Sequence, residues 1–343
     1  MRKLLNTLFV TTPDSYLSLD GENAVVNQEE QILLRVPLHT LEGILYFGYK
    51  GASPALMGAC AERNVRLAFL TPRGKFLAAA CGRTKGNVTL RCQQVRVSDD
   101  LYARTRFARN FVFGKVYNGR WVLERSVRDH ALKIDGEAVK TASKRLARML
   151  PEIRECIGDG ELRGLEGDAA KIYFGVFDHL ILRDKQDFFF HGRSRRPPLD
   201  NINALLSFVY TLLGNDCAAA LESVGLDPYI GFLHREKPGR TSLALDLMEE
   251  LRCVLADRFV LSLINNRVVT PRGFKQKESG AVYMDDETRK AVLSAWQLRK
   301  QEQITHPFLG EKIPWGLVPY VQALLLNRSL RGDLEEYPPF LWK

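Results

Sequence analysis

The chain lacks several features that would settle its chemistry at once. Its 343 residues hold six cysteines, at 60, 81, 92, 156, 217 and 253, and no pair is spaced as C-x-x-C. Scattered thiols of this kind fit a reducing compartment and argue against a zinc knuckle or a disulfide frame. No G-x-x-x-x-G-K-[ST] occurs, which argues against a P-loop nucleotide triphosphatase. The glycine-rich segments Gly48 to Gly51 and Gly82 to Gly86 match no phosphate loop either. No window approaches the ~18 uninterrupted apolar residues of a membrane-spanning helix. Repeats and low-complexity tracts are also missing. The opening MRKLLNTLFVTTPDS has a basic start and a short apolar run, but it turns polar at Thr11 to Asp14 without a small-residue cleavage site. It therefore reads as a first strand and not a signal peptide, and the expected location is cytoplasmic.

What is present is the profile of a globular protein long enough for two domains with real cores. The net charge is +9, which favours a polyanionic partner. That charge is uneven. Residues 101–200 carry 20 basic and 14 acidic side chains, whereas 201–343 carry 17 of each. The middle third is thus where phosphate contacts are to be sought.

Residues 1–97 read as β-rich. Apolar runs recur between turn signals at Leu8–Thr11, Tyr16–Leu19, Ala24–Val26, Ile32–Val36, Gly43–Phe47, Arg66–Leu70, Phe76–Ala80 and Leu90–Val95. Asp20-Gly21 and Pro72-Arg73-Gly74 supply turn chemistry, and one helix, Pro54–Arg63, interrupts the runs. Ser98-Asp99-Asp100 marks a hinge over 98–104, after which helical periods take over from 105 to 343. Leu101–Val116 and Trp121–Asp129 are basic and amphipathic. Ala138–Met149 carries Lys140, Lys144, Arg145 and Arg148 on one face, which suits plain solvation or nucleic-acid contact equally. The expected class is α+β, a small N-terminal β-rich, sandwich-like domain followed by a larger all-helical one.

Three stretches carry candidate chemistry. In GFLHREKPGRTSLALDLMEELR, residues 231–252, an apolar tripeptide delivers His234 to a polar turn, and a helix follows with Ser242 as its expected N-cap. Asp246 and Glu249 lie three residues apart and share a face, opposite the stripe Leu243, Leu247, Leu251, Val254 and Leu255. An imidazole with two carboxylates suits a hard or borderline divalent ion. Taken alone, the same residues are better described as a histidine in a turn and a solvated acidic helix face, since carboxylates three residues apart are common on helix surfaces. Upstream, Glu166 falls on the side of Ala170, Tyr173 and Phe177, and a carboxylate on an apolar stripe is costly unless something neutralises it. The alternative is a helix N-terminus that satisfies the acid, a role Asp168 also fits. Finally, His191 to Asp200 places Arg193, Arg195 and Arg196 before a helix capped by Asp200, a natural phosphate site. Of the aromatics nearby, Phe188, Phe189, Phe190, Phe208 and Tyr210, most are expected in the core and some could stack on bases.

Taken in order, EGDAAKIYF, RSRRPPLDNINALLSFVYTLL, GLDPYIGFLHREKPGRTSLALDLMEELR and TPRGFKQKESGAVYMDDE resemble the CRISPR-associated integrase of spacer acquisition, the "Cas one" family. The likeness covers essentially the whole chain, and the arm looks most like the bacterial subtype I-C version. It implies an N-terminal β domain that mediates homodimerisation and a helical catalytic domain. It further implies Mg²⁺ or Mn²⁺ held by Glu166, His234 and Glu249, with Asp246 as an accessory acid. The implied activity joins prespacer 3′-hydroxyl ends to a leader–repeat junction by transesterification, with endonuclease activity beside it. The implied partners are double-stranded DNA and the small second adaptation protein, "Cas two", in a complex of four and two subunits. Two readings compete: a non-catalytic DNA-binding scaffold and a stand-alone structure-selective nuclease. The apolar tail Tyr337 to Trp342 is expected to dock on its own domain in preference to a partner.

Overall fold

The structure, a computed structural model, describes residues 7–29, 31–41, 43–72, 76–80 and 88–343. The turn residues Arg73 and Gly74 and the Gly82 to Gly86 segment lie outside them. The chain divides into two compact units, one of residues 1–86 with 293–301, the other of 87–292 with 302–343.

The first unit holds β1 (Thr7–Val10), β2 (Ser15–Asp20), β3 (Asn23–Gln28), β4 (Gln31–Pro37), β5 (Gly43–Phe47), α1 (Pro54–Glu62), β6 (Arg66–Leu70) and β7 (Phe76–Ala80). Strands β2, β3 and β4 form an antiparallel meander. The other sheet runs β1-β5-β6-β7, with β1, β5 and β6 parallel and β7 antiparallel. Helix α1 is the crossover between parallel β5 and β6; Pro54 opens it and the Ser53 side chain accepts the Leu56 N–H. Both sheets and α1 close on one core, including Leu17, Val26, Ile44, Tyr46, Leu56, Cys60 and Leu67. Tyr46 ties the two sheets by donating its hydroxyl to the Ser15 carbonyl at 2.6 Å. Strand β4, at the edge of its sheet, exposes Ile32, Leu33 and Leu34.

The second unit is helical. It comprises α2 (Val88–Asp99), α3 (Leu101–His130), α4 (Gly136–Glu155), α5 (Asp159–Gly175), α6 (Asn201–Ser223), α7 (Ser242–Leu251) and α8 (Arg258–Asn265). The hairpin β8 (Phe274–Gln276) and β9 (Val282–Met284) follows, then α9 (Asp286–Gln301), which begins in this unit and ends in the other. A second hairpin, β10 (Gln303–Thr305) and β11 (Lys312–Pro314), leads to α10 (Val318–Leu330). A six-residue π-helix, Arg252–Asp257, joins α7 to α8.

Two expectations fail here for a shared reason. Leu90–Val95 is not a strand, because α2 covers it and buries Leu90, Gln94, Val97 and Ser98 on one helical face. Nor is 98–104 an extended hinge: α2 runs through Asp99, and Asp100 caps α3 by accepting the Ala103 N–H at 2.8 Å. The break between units falls instead at Gly86/Asn87. The two basic segments expected after the hinge are one continuous helix, α3, which buries Ala108, Phe111, Val112, Lys115, Val116, Gly119, Val122 and Leu123. That stripe packs on α4, α5 and α7. Helix α6, capped by Asp200 as expected, is long and apolar enough by composition to cross a membrane, but it is a core helix packed on α7 and α10. The tail docks on its own unit: Tyr337 and Phe340 are buried, and the Trp342 ring lies 4.6 Å from Arg125 and 4.5 Å from Arg258.

Candidate active site

Helix α7 stands at the centre, and none of its faces is solvated. Asp246, Glu249 and Glu250 are buried along with the leucines, so the exposed acidic face that the sequence also allowed does not exist. A buried carboxylate demands partners, and each of the three has a different set.

Asp246 serves the loop that carries His234. Its Oδ2 accepts the backbone N–H groups of Phe232 at 2.6 Å and Leu233 at 3.0 Å. Its Oδ1 accepts the His234 N–H at 2.8 Å and meets the His234 Nδ1 at 2.7 Å. A carboxylate that already receives three backbone donors makes Nδ1 the protonated nitrogen, which leaves the Nε2 lone pair free to act. The loop is fastened to the start of α7 as well. Pro228 O accepts the N–H groups of Leu243 and Ala244, and Ser242 Oγ donates to Arg235 O at 3.1 Å. Ser242 is thus the first residue of the helix and not its cap; Thr241 is the cap, without a side-chain bond. Gly231 lies so close that a Cβ there would sit 2.7 Å from His234 O and 2.8 Å from Ser242 Cβ. Helix α2 braces the other side. Gln94 donates to Asp227 O and Ile230 O at 2.8 and 2.9 Å, and Ser98 donates to Gly231 O at 2.9 Å. Asp159, at the start of α5, receives Arg104 of α3 and Arg235 of the loop at 3.3 and 3.0 Å.

Glu249 sits in a cationic pocket. Arg252 approaches Oε1 at 2.7 Å and the Lys115 ammonium lies 2.8 Å from Oε2. Burial alone would raise its pKa, but Arg252, Lys115 and His234 together hold the carboxyl down at about 2. The same Lys115 ammonium pairs with Glu166 Oε1. Burial would depress this lysine, yet Glu249 and Glu166 more than offset that and raise it. Glu166 is the eighth residue of α5, not an N-terminal one, so the helix dipole is not what satisfies it. Asp168, by contrast, is an exposed partner of Lys171 at 3.1 Å.

Glu250 faces the tail. It accepts hydrogen bonds from the Tyr337 hydroxyl, the Phe340 N–H and Gln322 Nε2. Burial raises its carboxyl to about 7 despite those donors. Gly114 lets α3 cross here, since a Cβ would come 3.0 Å from Glu250 Cβ.

The structure therefore brings Glu166 and Glu249 together around one lysine and places His234 beside them on a fixed loop. Among the described residues, no three His, Cys, Asp or Glu side chains converge closely enough to hold an ion as they stand. The donor set nevertheless fits a divalent metal. Two carboxylates and an imidazole are hard-to-borderline donors, and the space between the two carboxylates is already filled by a cation. Lys115 was missed in the sequence, although a lysine in the apolar stripe Phe111, Val112, Val116 and Gly119 was a visible signal. Arg252, Asp159 and Gln94 were also missed.

The arginine arm splits. Arg195 and Arg196 are exposed, as a DNA contact requires. Arg193 is half-buried; it bonds Asn203 Oδ1 and lies 5.1 Å over the Tyr210 ring, which Arg252 also approaches at 4.9 Å. Of the nearby aromatics, Phe188, Phe190 and Phe208 are core and Phe189 is exposed.

Comparison with known proteins bears on the family and the fold. The family model described as CRISPR associated protein Cas1 matches residues 8–298. CRISPR-associated endonuclease Cas1 1 of Chlorobaculum tepidum is 50% identical over 343 residues, all of both chains. Among solved structures, a casposase bound to integration product superposes with TM-score 0.84 at 22% identity, covering 98% of this chain and 94% of that one. A chain of a Cas6-RT-Cas1–Cas2 complex gives 0.82 at 21% identity, covering all of this chain and 36% of that one. At such identities these two likenesses bear on the fold.

Proposed function

The chain belongs to the CRISPR-associated protein Cas1 family, and from that membership we propose that it is a metal-dependent DNA integrase with endonuclease activity. The observation that carries the reading is the meeting of Glu166 and Glu249, from two helices, around a single buried cation, beside an imidazole whose Nε2 is left free. Glu166, His234 and Glu249 would hold Mg²⁺ or Mn²⁺, which when bound supplies Lewis-acid polarisation of a phosphoryl oxygen.

In the proposed reaction a prespacer 3′-hydroxyl oxygen bonds to phosphorus at the leader–repeat junction. The phosphorus–O3′ bond of the target strand breaks, and the proton given up by the attacking hydroxyl is matched by one taken up at the leaving oxygen. The step occurs once on each strand. With water as the attacking group, the same site nicks DNA. Asp246 holds the His234 loop and its tautomer, and Arg252 keeps a positive charge next to the reacting phosphate. Arg195 and Arg196 hold DNA backbone; Arg193 stiffens the arm against Tyr210. The chain acts in the cytoplasm. It pairs with a second copy through the β-rich unit, where β4 offers an apolar edge, and with the small Cas2 protein that the neighbouring complex contains, in a four-to-two assembly.

A non-catalytic DNA-binding scaffold is favoured by one observation: Lys115 and Arg252 already pair with both carboxylates, as a purely structural cluster would require. Glu166→Ala, His234→Ala and Glu249→Gln separate the readings. Each abolishes strand transfer, with circular dichroism and DNA affinity preserved, if the site is catalytic. Unimpaired transfer by Glu249→Gln removes Glu249 from the ligand set, and no transfer by the wild-type chain under any metal leaves the scaffold.

A further inference from the structure

We propose that Lys115 makes metal binding conditional on DNA: its ammonium fills the gap between Glu166 and Glu249, and a divalent ion is held there only when phosphate groups arrive to balance the added charge. The proposal rests on the reading of Glu166, His234 and Glu249 as the metal site.

The charge inventory carries it. Three carboxylates, Glu166, Glu249 and the buried Asp246 behind His234, face two cations, Lys115 and Arg252, so the cluster carries a single negative charge as it stands. Glu249 and Lys115 are nearly sealed from water, with side chains 3% and 8% exposed. A divalent ion added to this set leaves a surplus of one positive charge where the dielectric is low and unbalanced charge is expensive. A nucleic-acid backbone brings one negative charge per phosphodiester and restores the balance. An ordinary acidic metal site, with no lysine inside it, carries no such requirement.

The lysine also has somewhere to go. Beside it is a cavity of about 20 Å³, lined in part by Gly119, Ala169, Tyr173 and Asp257. That is room for about one water-sized group. The Asp257 carboxylate and the Tyr173 hydroxyl are both buried there beside each other, and Asp257 also accepts the Tyr210 hydroxyl at 2.5 Å. An ammonium withdrawn from Glu166 and Glu249 toward Asp257 meets a further carboxylate, so the site has two places for one cation. Linkage then makes the coupling reciprocal: DNA tightens metal binding by the same factor as metal tightens DNA binding.

The test is Mn²⁺ titration calorimetry on the full chain, alone and with a DNA duplex carrying 3′ overhangs, using wild type, Lys115→Met and Lys115→Arg. Wild type is expected to bind Mn²⁺ weakly alone and at least about tenfold more tightly with DNA, within the usual range of coupling. Lys115→Met removes the internal cation and should bind Mn²⁺ alone about tenfold more tightly than wild type, with little further gain from DNA. Lys115→Arg keeps the charge and should keep the DNA dependence. Equal wild-type affinity with and without DNA overturns the proposal, and this arm needs no variant to fold. Unchanged or weaker Mn²⁺ binding by a folded Lys115→Met overturns it as well. If no protein binds Mn²⁺ under either condition, the metal site itself is wrong and the Lys115 role falls with it.

Discussion

Replacing Asp246 by asparagine changes one atom and tests most of the site's logic. The carboxylate has four acceptor positions, all used: Phe232 and Leu233 N–H on Oδ2, His234 N–H and Nδ1–H on Oδ1. An amide keeps one oxygen and turns the other into a donor. With the NH₂ in place of Oδ2, two buried backbone N–H groups lose their acceptor, at about 1–3 kcal/mol each. Turned the other way, the NH₂ faces His234. The imidazole can then move its proton to Nε2 and accept at Nδ1, which leaves only the His234 N–H orphaned. The second arrangement is cheaper, so Asp246→Asn should lose about 1–3 kcal/mol in urea unfolding. Its effect on chemistry is larger, because the favoured tautomer has its proton on the nitrogen the site needs bare. Strand transfer should fall by about 10–100-fold or more. Long-range ¹⁵N spectra of His234 report the tautomer directly. A variant that keeps its proton on Nδ1 and transfers strands at the wild-type rate would refute the assignment of Asp246 as the group that sets the imidazole.

Other outcomes follow from the same contacts. Glu249→Ala strips the partner from buried Lys115 and Arg252 and should destabilise by about 3–5 kcal/mol, measured by urea unfolding, so Glu249→Gln is the cleaner activity variant. Tyr337→Phe removes a donor from buried Glu250 and should lower stability by about 1–3 kcal/mol in the same assay. Burial raises the Asp257 carboxyl to about 6 despite its Tyr210 and Arg252 neighbours, so the folded chain binds this proton more tightly than the unfolded one. Its contribution is therefore greatest below about pH 4 and is lost as pH rises to about 6, on the order of 2–3 kcal/mol. Asp257→Asn should flatten that part of the stability–pH curve. Arg195→Gln with Arg196→Gln should weaken DNA binding at every sequence and reduce the logarithmic salt slope by about 2, whereas Arg193→Gln should mainly lower the melting temperature.

How far the sequence could be read depended on where each residue's partner lies. Strands β1 to β7 and helix α1 were legible because short apolar runs alternate with local turn chemistry such as Asp20-Gly21. Leu90–Val95 was misread because two of the four residues on the buried face of α2, Gln94 and Ser98, are polar and hide its helical stripe. They are buried to hold the loop at Asp227 to Gly231, more than 130 residues away. Helix α7 shows the same limit. Its wheel places Asp246 and Glu249 away from the leucines, and nothing local says that Lys115 of α3 and the loop N–H groups will cover that face. The site residues Glu166, His234 and Glu249 came from family resemblance joined to a physical oddity, an acid on an apolar stripe. Lys115 is the same oddity with the sign reversed, on α3. The arm was half legible: charge density marks Arg195 and Arg196, but only the packed Tyr210 ring and Asn203 explain why Arg193 turns inward.

The most direct test of the central claim mixes purified chain, the Cas2 protein proposed as its partner, a prespacer duplex with 3′-hydroxyl ends and a plasmid carrying a leader and repeat. Products are scored as joined or merely nicked. The account predicts joined products with Mg²⁺ or Mn²⁺, none in EDTA, and none from Glu249→Gln. Joining that persists in EDTA, or nicks alone under every metal tried, would contradict it.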